Sequence, residues 1–187
     1  MSSRFHFYET GFPALYEIEP IRLSDPRGYF ERVFCKEEFQ AIGFTKDIVQ
    51  INHTLTRHKG SIRGLHFQYP PYAETKIVRC LQGTVFDVVV DLRAQSPTFL
   101  QWYGDILSAD NGKMLLIPEG CAHGFQTLED EVELFYLHTE FYHADHEGGL
   151  RFDDPRLHIA WKLTPTDISE RDRTHQLLDA HFTGITL

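Results

Sequence analysis

The sequence predicts an all-β sandwich or barrel, and three observations carry that reading. Apolar residues recur mainly with a period of two, the strand-like runs are short and bounded by Gly, Pro, Asn or Asp, and helical character is confined to two segments. The strongest run spans Thr75 to Leu92. Ile77-Val78-Arg79-Cys80-Leu81 and Val85-Phe86-Asp87-Val88-Val89-Val90-Asp91-Leu92 are rich in β-branched and apolar residues, and Gln82-Gly83-Thr84 between them reads as the turn of a hairpin. Short strands follow at Met114 to Ile117, Gly124 to Thr127 and Val132 to Thr139. The helical segments are Lys36 to Ile42 and a C-terminal one from Ser169 to Ala180, with Ser169 placed as its cap. There is no repeat, low-complexity stretch or linker, so a single domain over residues 1–187 is expected.

Composition narrows the function. A chain of 187 residues that is 42% hydrophobic can bury one sizeable core. The net charge of -9 argues against a nucleic-acid partner, which would need a clustered excess of Lys and Arg, so any anionic ligand must be held locally. Cys35, Cys80 and Cys121 are odd in number and widely spaced, and two lie inside apolar runs; they read as buried core thiols in a reducing compartment. The start, Met1 to Phe7, has no apolar signal core, and no stretch approaches the roughly 18 apolar residues of a membrane span. A cytoplasmic protein without a membrane partner is expected.

Two glycine-punctuated motifs, each delivering a histidine, mark a candidate site: Gly60-Ser61-Ile62-Arg63-Gly64-Leu65-His66-Phe67-Gln68 and Ile117-Pro118-Glu119-Gly120-Cys121-Ala122-His123-Gly124-Phe125. The β-rich run between them allows both imidazoles to face one cavity. A metal site in a small barrel would want a His-x-His pair, a following carboxylate and a later His. Here Phe67 and Gln68 follow His66, and the cation Lys76 stands where a carboxylate would help; no metal is expected, although Glu74 keeps the question open. Without one, His66, His123, Lys76 and Arg63 suit proton abstraction beside a carbonyl, since imidazole titrates near neutral pH and a cation stabilises an enolate. The same spacing also fits two structural histidines beside tight turns, and spacing alone does not choose.

At these residues the sequence resembles the nucleotide-sugar epimerases typified by dTDP-4-dehydrorhamnose 3,5-epimerase. The resemblance runs from about Ile21 to Leu178 through ordered blocks that include Asp25-Pro26-Arg27-Gly28-Tyr29-Phe30, Val49-Gln50-Ile51-Asn52, Arg63 to Gln68, Lys76 to Cys80, Phe86 to Arg93, Ser96 to Phe99, Ile117 to Gly120, Ala122 to Phe125 and Asp154-Pro155. It implies a double-stranded β-helix, the cupin-type jelly roll, with short peripheral helices. It also implies a homodimer that exchanges strands and a few ligand-contacting residues, and no metal or other cofactor. The implied reaction inverts C3, C5 or both in a nucleotide-linked 4-keto-6-deoxy sugar of dTDP-rhamnose-type biosynthesis. Relatives that invert one centre, or use CDP- or GDP-linked sugars, share the same catalytic residues.

Residue by residue, the resemblance implies His66 as catalytic base and Asp172 as the carboxylate that fixes its tautomer and steadies its imidazolium. Tyr136, with a reference pKa of about 10, is the implied acid on the opposite sugar face. Lys76 and His123 fall near the C4 carbonyl, with Asp87 beneath them. Diphosphate and base contacts fall on Arg63, Gln50, Asn52, Tyr142 and Glu147, and on Arg27 and Phe30 of the partner subunit. Phe141 stands where many members have a tyrosine. A non-catalytic nucleotide-sugar-binding cupin is the competing reading, and a metal-dependent cupin enzyme a weaker third; base, carboxylate and phenol together favour the epimerase.

Overall fold

The computed structural model describes residues 3–187, in which the strands are, in chain order, β1 (Phe5–Glu9), β2 (Tyr16–Pro20), β3 (Leu23–Asp25), β4 (Gly28–Phe30), β5 (Gln50–Thr56), β6 (Ile62–Gln68), β7 (Lys76–Gln82), β8 (Thr84–Asp91), β9 (Trp102–Ser108), β10 (Met114–Ile117), β11 (Cys121–Thr127), β12 (Val132–His138) and β13 (Glu147–Gly149). They form a six-stranded sheet in the order β1-β2-β10-β7-β12-β5 and a five-stranded sheet in the order β13-β6-β11-β8-β9, with β3 and β4 as a separate two-stranded ribbon. All pairings between these strands are antiparallel. The fold is the expected cupin-type jelly-roll architecture, nearly all β.

Alternation along the strands builds three apolar layers. Val78, Cys80, Leu115 and Leu134 of the six-stranded sheet meet Val85, Val89, Leu107 and Phe125 of the five-stranded sheet, so the central core lies between the two. The opposite residues of the first sheet, among them Ile77, Met114 and Leu137, are covered by Phe5, Phe39 and Phe44 from the N-terminal region. Leu65, Phe86, Val88 and Val90 on the outside of the second sheet are covered by Leu150, Leu157, Ile185 and neighbours from the C-terminal region. Each fully buried side chain of this kind contributes about 1.5–3 kcal/mol relative to exposure.

The hairpin expected across Gln82-Gly83-Thr84 does not form. Strand β7 lies between β10 and β12 in one sheet, and β8 lies between β11 and β9 in the other. A single residue separates them, Gly83, at φ +75°, where an added Cβ would come within 2.8 Å of Val132 Cγ2. Gly83 is thus a corner that carries the chain between sheets, and it lets the apolar faces of successive strands pack against each other rather than side by side.

Helix is scarcer than expected. Helix α1 (Lys36–Phe39) runs into a 3-10 turn at Gln40–Ile42, in agreement with the N-terminal segment, but α2 (Glu170–Thr174) is a single turn. Ser169 does cap α2, its Oγ accepting from the Asp172 amide at 3.1 Å. The chain leaves the helix at His175, which is extended, because Leu178 must reach the outer face of the five-stranded sheet, where its amide donates to Asp154 Oδ2 at 2.6 Å. Cys80 and Cys121 are core residues as expected, burial pushing their thiols up to about 11 and about 12, whereas Cys35 is only half-buried ahead of α1. No helix among the described residues is long and apolar enough to cross a membrane.

Candidate active site

Between the sheets opens a cavity of about 410 Å³, walled on one side by β6 and β11 and on the other by β5, β7 and β12. His66 and His123 are direct cross-strand partners on the first wall. Arg63 lines the same cavity although it stands three residues from His66, an odd spacing that a regular strand would split between its two faces. The register between β6 and β11 shifts at this point, and Gly64, at φ +109°, is the residue that takes up the irregularity. A Cβ there would lie 2.7 Å from both Gly124 Cα and the His123 carbonyl oxygen, so the two motif glycines face one another at backbone distance.

Each wall histidine is held by a buried carboxylate. His66 Nε2 donates to Asp172 Oδ1 at 2.7 Å, while Asp172 Oδ2 accepts from the Gly64 amide at 3.2 Å. This bond leaves Nδ1 as the nitrogen of His66 available to a ligand. Burial works to raise the Asp172 pKa, but the hydrogen bond and charge of His66 outweigh it and hold the carboxyl below the usual carboxylate range. Behind His123, Asp87 is fully buried and chelates Nε2 at 3.0 and 2.9 Å; burial raises its pKa despite that partner. Asp87 therefore sits beneath the cavity and touches it only through His123.

On the facing wall, Tyr136 lies 6.2 Å from His123 between ring centroids and stacks near His138 at 6.1 Å. Burial pushes its phenol far above the usual tyrosine range, so the hydroxyl is protonated at neutral pH. Lys76, paired across strands with His138, is 7% exposed and bonds Glu74 Oε1 at 2.9 Å. Glu74 Oε2 accepts from His138 Nδ1 at 2.6 Å, and His138 Nε2 in turn accepts from Asn52 Nδ2 at 3.2 Å. Burial opposes ionisation of Glu74, but the charge of Lys76 and the bond from His138 prevail and lower it to about 2.

Arg63 donates through Nε to Thr56 Oγ1 at 2.8 Å. Toward the exposed rim, the Tyr142 hydroxyl donates to Glu147 Oε2 at 2.7 Å, Arg171 pairs with Glu147, and Gln50 Oε1 accepts from the Tyr142 amide at 3.3 Å. The cavity thus gathers ten residues singled out in the sequence: His66, Asp172, Tyr136, Arg63, Lys76, His123, Gln50, Asn52, Tyr142 and Glu147. Arg27 and Phe30 lie outside it, on the exposed β3–β4 ribbon; the Arg27 side chain is 90% exposed and, among the described residues, pairs only with neighbouring Asp25. Glu31, one residue on, anchors that ribbon through Arg22 at 2.9 Å and the buried Arg79.

Sequence reasoning missed His138 and Arg171 and weighed Glu74 only as a metal ligand. Strand alternation would have found two of them, since His138 follows Tyr136 by two and Glu74 precedes Lys76 by two.

The profile of the dTDP-4-dehydrorhamnose 3,5-epimerase family matches residues 9–180. The chain belongs to that family. A dTDP-4-dehydrorhamnose 3,5-epimerase from Shigella flexneri is 42% identical over 176 residues, 93% of this chain and 97% of that protein. Among solved structures, the dTDP-4-dehydrorhamnose 3,5-epimerase from Bacillus anthracis with TDP and PPi bound superposes with a TM-score of 0.91 at 43% identity, covering 93% of this chain and 99% of that one. The dTDP-6-deoxy-D-glucose-3,5-epimerase of Legionella pneumophila in complex with dTDP-4-keto-L-rhamnose also gives 0.91, at 36% identity and 98% coverage of both chains. As a member of the epimerase family, the protein is an isomerase.

Proposed function

We propose that the protein inverts C3 and C5 of dTDP-4-dehydro-6-deoxy-D-glucose in the cytoplasm, as a step of dTDP-rhamnose-type deoxysugar synthesis. The observation that carries this is the His66–Asp172 pair on one wall of a cavity whose other wall presents the protonated Tyr136. Asp172 holds the proton on Nε2, so Nδ1 of His66 takes the C–H proton beside the C4 carbonyl. The electron pair moves onto the carbonyl oxygen, where the Lys76 ammonium and the His123 ring stabilise it. The Tyr136 hydroxyl then protonates the same carbon from the opposite face, because an enolate carbon is a far stronger base than a phenolate. Solvent resets both groups.

Arg63 binds the diphosphate, and Gln50, Asn52, Tyr142 and Glu147 receive the rest of the nucleotide. Base, acid and carbonyl cation are all side chains, so no cofactor enters the reaction. The working unit is a homodimer: β5 is a sheet edge that exposes Ile51 and Leu55, which a second copy would cover, and Arg27 and Phe30 of the partner subunit would complete the nucleotide site. Incubation with dTDP-4-keto-6-deoxyglucose in deuterated water tests the proposal. NMR should find solvent deuterium at both C3 and C5 with inversion, and protein lacking that incorporation, or labelling a single centre, would overturn it in whole or in part.

A further inference from the structure

We propose that His66, Asp172 and His175 form a zinc site, and that zinc bound there switches off the base. His66 Nε2, Asp172 Oδ1 and His175 Nε2 all lie within 4.8 Å of one another. Asp172 Oδ1 stands 2.7 Å from the first nitrogen and 3.8 Å from the second. His175 Nε2 is buried and has no hydrogen-bond partner among the described residues. Its ring occupies a seat that glycine leaves open: Gly149 is the cross-strand partner of His66, and a Cβ at Gly149 would overlap the imidazole. Asp172 lies in the single turn of α2 and His175 just past its end, three residues on, and the Gly64 amide on Oδ2 holds Oδ1 toward both rings.

Two imidazoles and one carboxylate are a zinc donor set, tetrahedral with an open fourth position, and His66 and Asp172 face a cavity that can supply a water there. Metal–ligand bonds of about 2.0–2.2 Å place ligand atoms about 3.3–3.5 Å apart, a spacing that the two Asp172 distances bracket. Magnesium and calcium, which take six or more oxygen ligands, do not fit this set.

The consequence for catalysis follows from the ring's single proton. In the metal-free dyad that proton is on Nε2 and Nδ1 carries the lone pair. Zinc on Nε2 takes the lone pair at that nitrogen, the proton moves to Nδ1, and no acceptor is left for the substrate's C–H. Binding rests on geometry alone, whereas inhibition also rests on His66 being the base.

The test titrates chelator-treated, fully active protein with zinc chloride by calorimetry and follows epimerisation in parallel. The expected result is one zinc per chain at micromolar affinity, no binding of magnesium or calcium at millimolar concentration, and loss of activity as the site fills. H175A should keep its basal rate, bind zinc at least tenfold more weakly and need correspondingly more for inhibition; H175Q, which keeps the reach without the imidazole, serves if H175A does not fold. No stoichiometric binding by the wild type, or undiminished affinity in the variants, overturns the site. Stoichiometric zinc that both variants weaken but that leaves the wild-type rate untouched keeps the site and overturns the inhibition together with the assignment of His66 as base.

Discussion

Replacing Glu74 with Gln should destabilise the protein by about 3 kcal/mol at neutral pH. The carboxylate is almost fully buried and bonds Lys76 Nζ at 2.9 Å and His138 Nδ1 at 2.6 Å. Its partners bring the pKa from the ordinary 4.5 down to about 2, a difference worth about 3 kcal/mol. Breaking a buried ion pair by removing one partner costs about 3–5 kcal/mol, because the surviving charge stays buried, so two routes give similar magnitudes. Because the folded pKa lies below the ordinary one, the stabilisation is fully present above pH 4.5 and is lost as pH falls toward about 2. Urea unfolding at pH 7 and through the acid range checks both claims. The variant should be weaker at pH 7, with a thermal midpoint lower by about 6–12 °C, and should lose less further stability between pH 5 and 2.5 than the wild type. Equal unfolding free energies at pH 7, or parallel acid profiles, would refute the reasoning.

Three further outcomes follow from named contacts. Arg63→Ala should raise KM by about 10- to 100-fold with a much smaller change in kcat, as expected for a charge-assisted bond of about 1.5–3 kcal/mol to phosphate; an unchanged KM would put the diphosphate elsewhere. Gly64→Ala should cost about 3 kcal/mol or more, since its methyl would meet backbone atoms at 2.7 Å from a positive φ, and a thermal midpoint within 2 °C of the wild type would contradict that packing. Ile51→Glu on the exposed edge strand should give a monomer by analytical ultracentrifugation with greatly reduced activity, and a fully active monomer would exclude a shared site.

The parts of the fold that the sequence discloses are those where alternation is apolar. Met114 to Ile117 and the start of β12 at Val132 coincide with expectation, because these strands bury hydrophobic faces in the two-sheet core. Strand β5 is illegible by the same rule: Gln50, Asn52, Thr54 and Thr56 point polar groups inward at the cavity while Ile51 and Leu55 face outward, so its pattern reads inside out. Gly83 illustrates a different limit. Alternation identifies two strands and a glycine between them, but the choice between a hairpin and a corner depends on which sheet each strand finally joins. At the site, the two histidine motifs are visible as residue types, yet their convergence is not. Arg63 and His66 share a cavity through a register shift that spacing argues against, and Asp172 reaches His66 across 106 positions by a one-turn helix. Of the Glu74–His138 bridge, His138 lies inside the expected strand Val132 to Thr139, two residues beyond Tyr136, whereas Glu74 falls just ahead of the expected run from Thr75 and joins the wall only when the strand period is carried back two residues from Lys76.

The central claim is that two groups on opposite walls divide the proton transfers, and Tyr136→Phe in deuterated water tests it most directly. This variant keeps the His66–Asp172 pair and Lys76, so the C–H proton should still be removed and solvent deuterium should still enter the 4-keto sugar, returned by His66 to the face it left. The account predicts continued exchange with retained configuration and a fall in inverted product of at least 100-fold, roughly the lower bound for loss of a general acid. Inversion at the wild-type rate, or loss of exchange in a protein that is still folded, would contradict it.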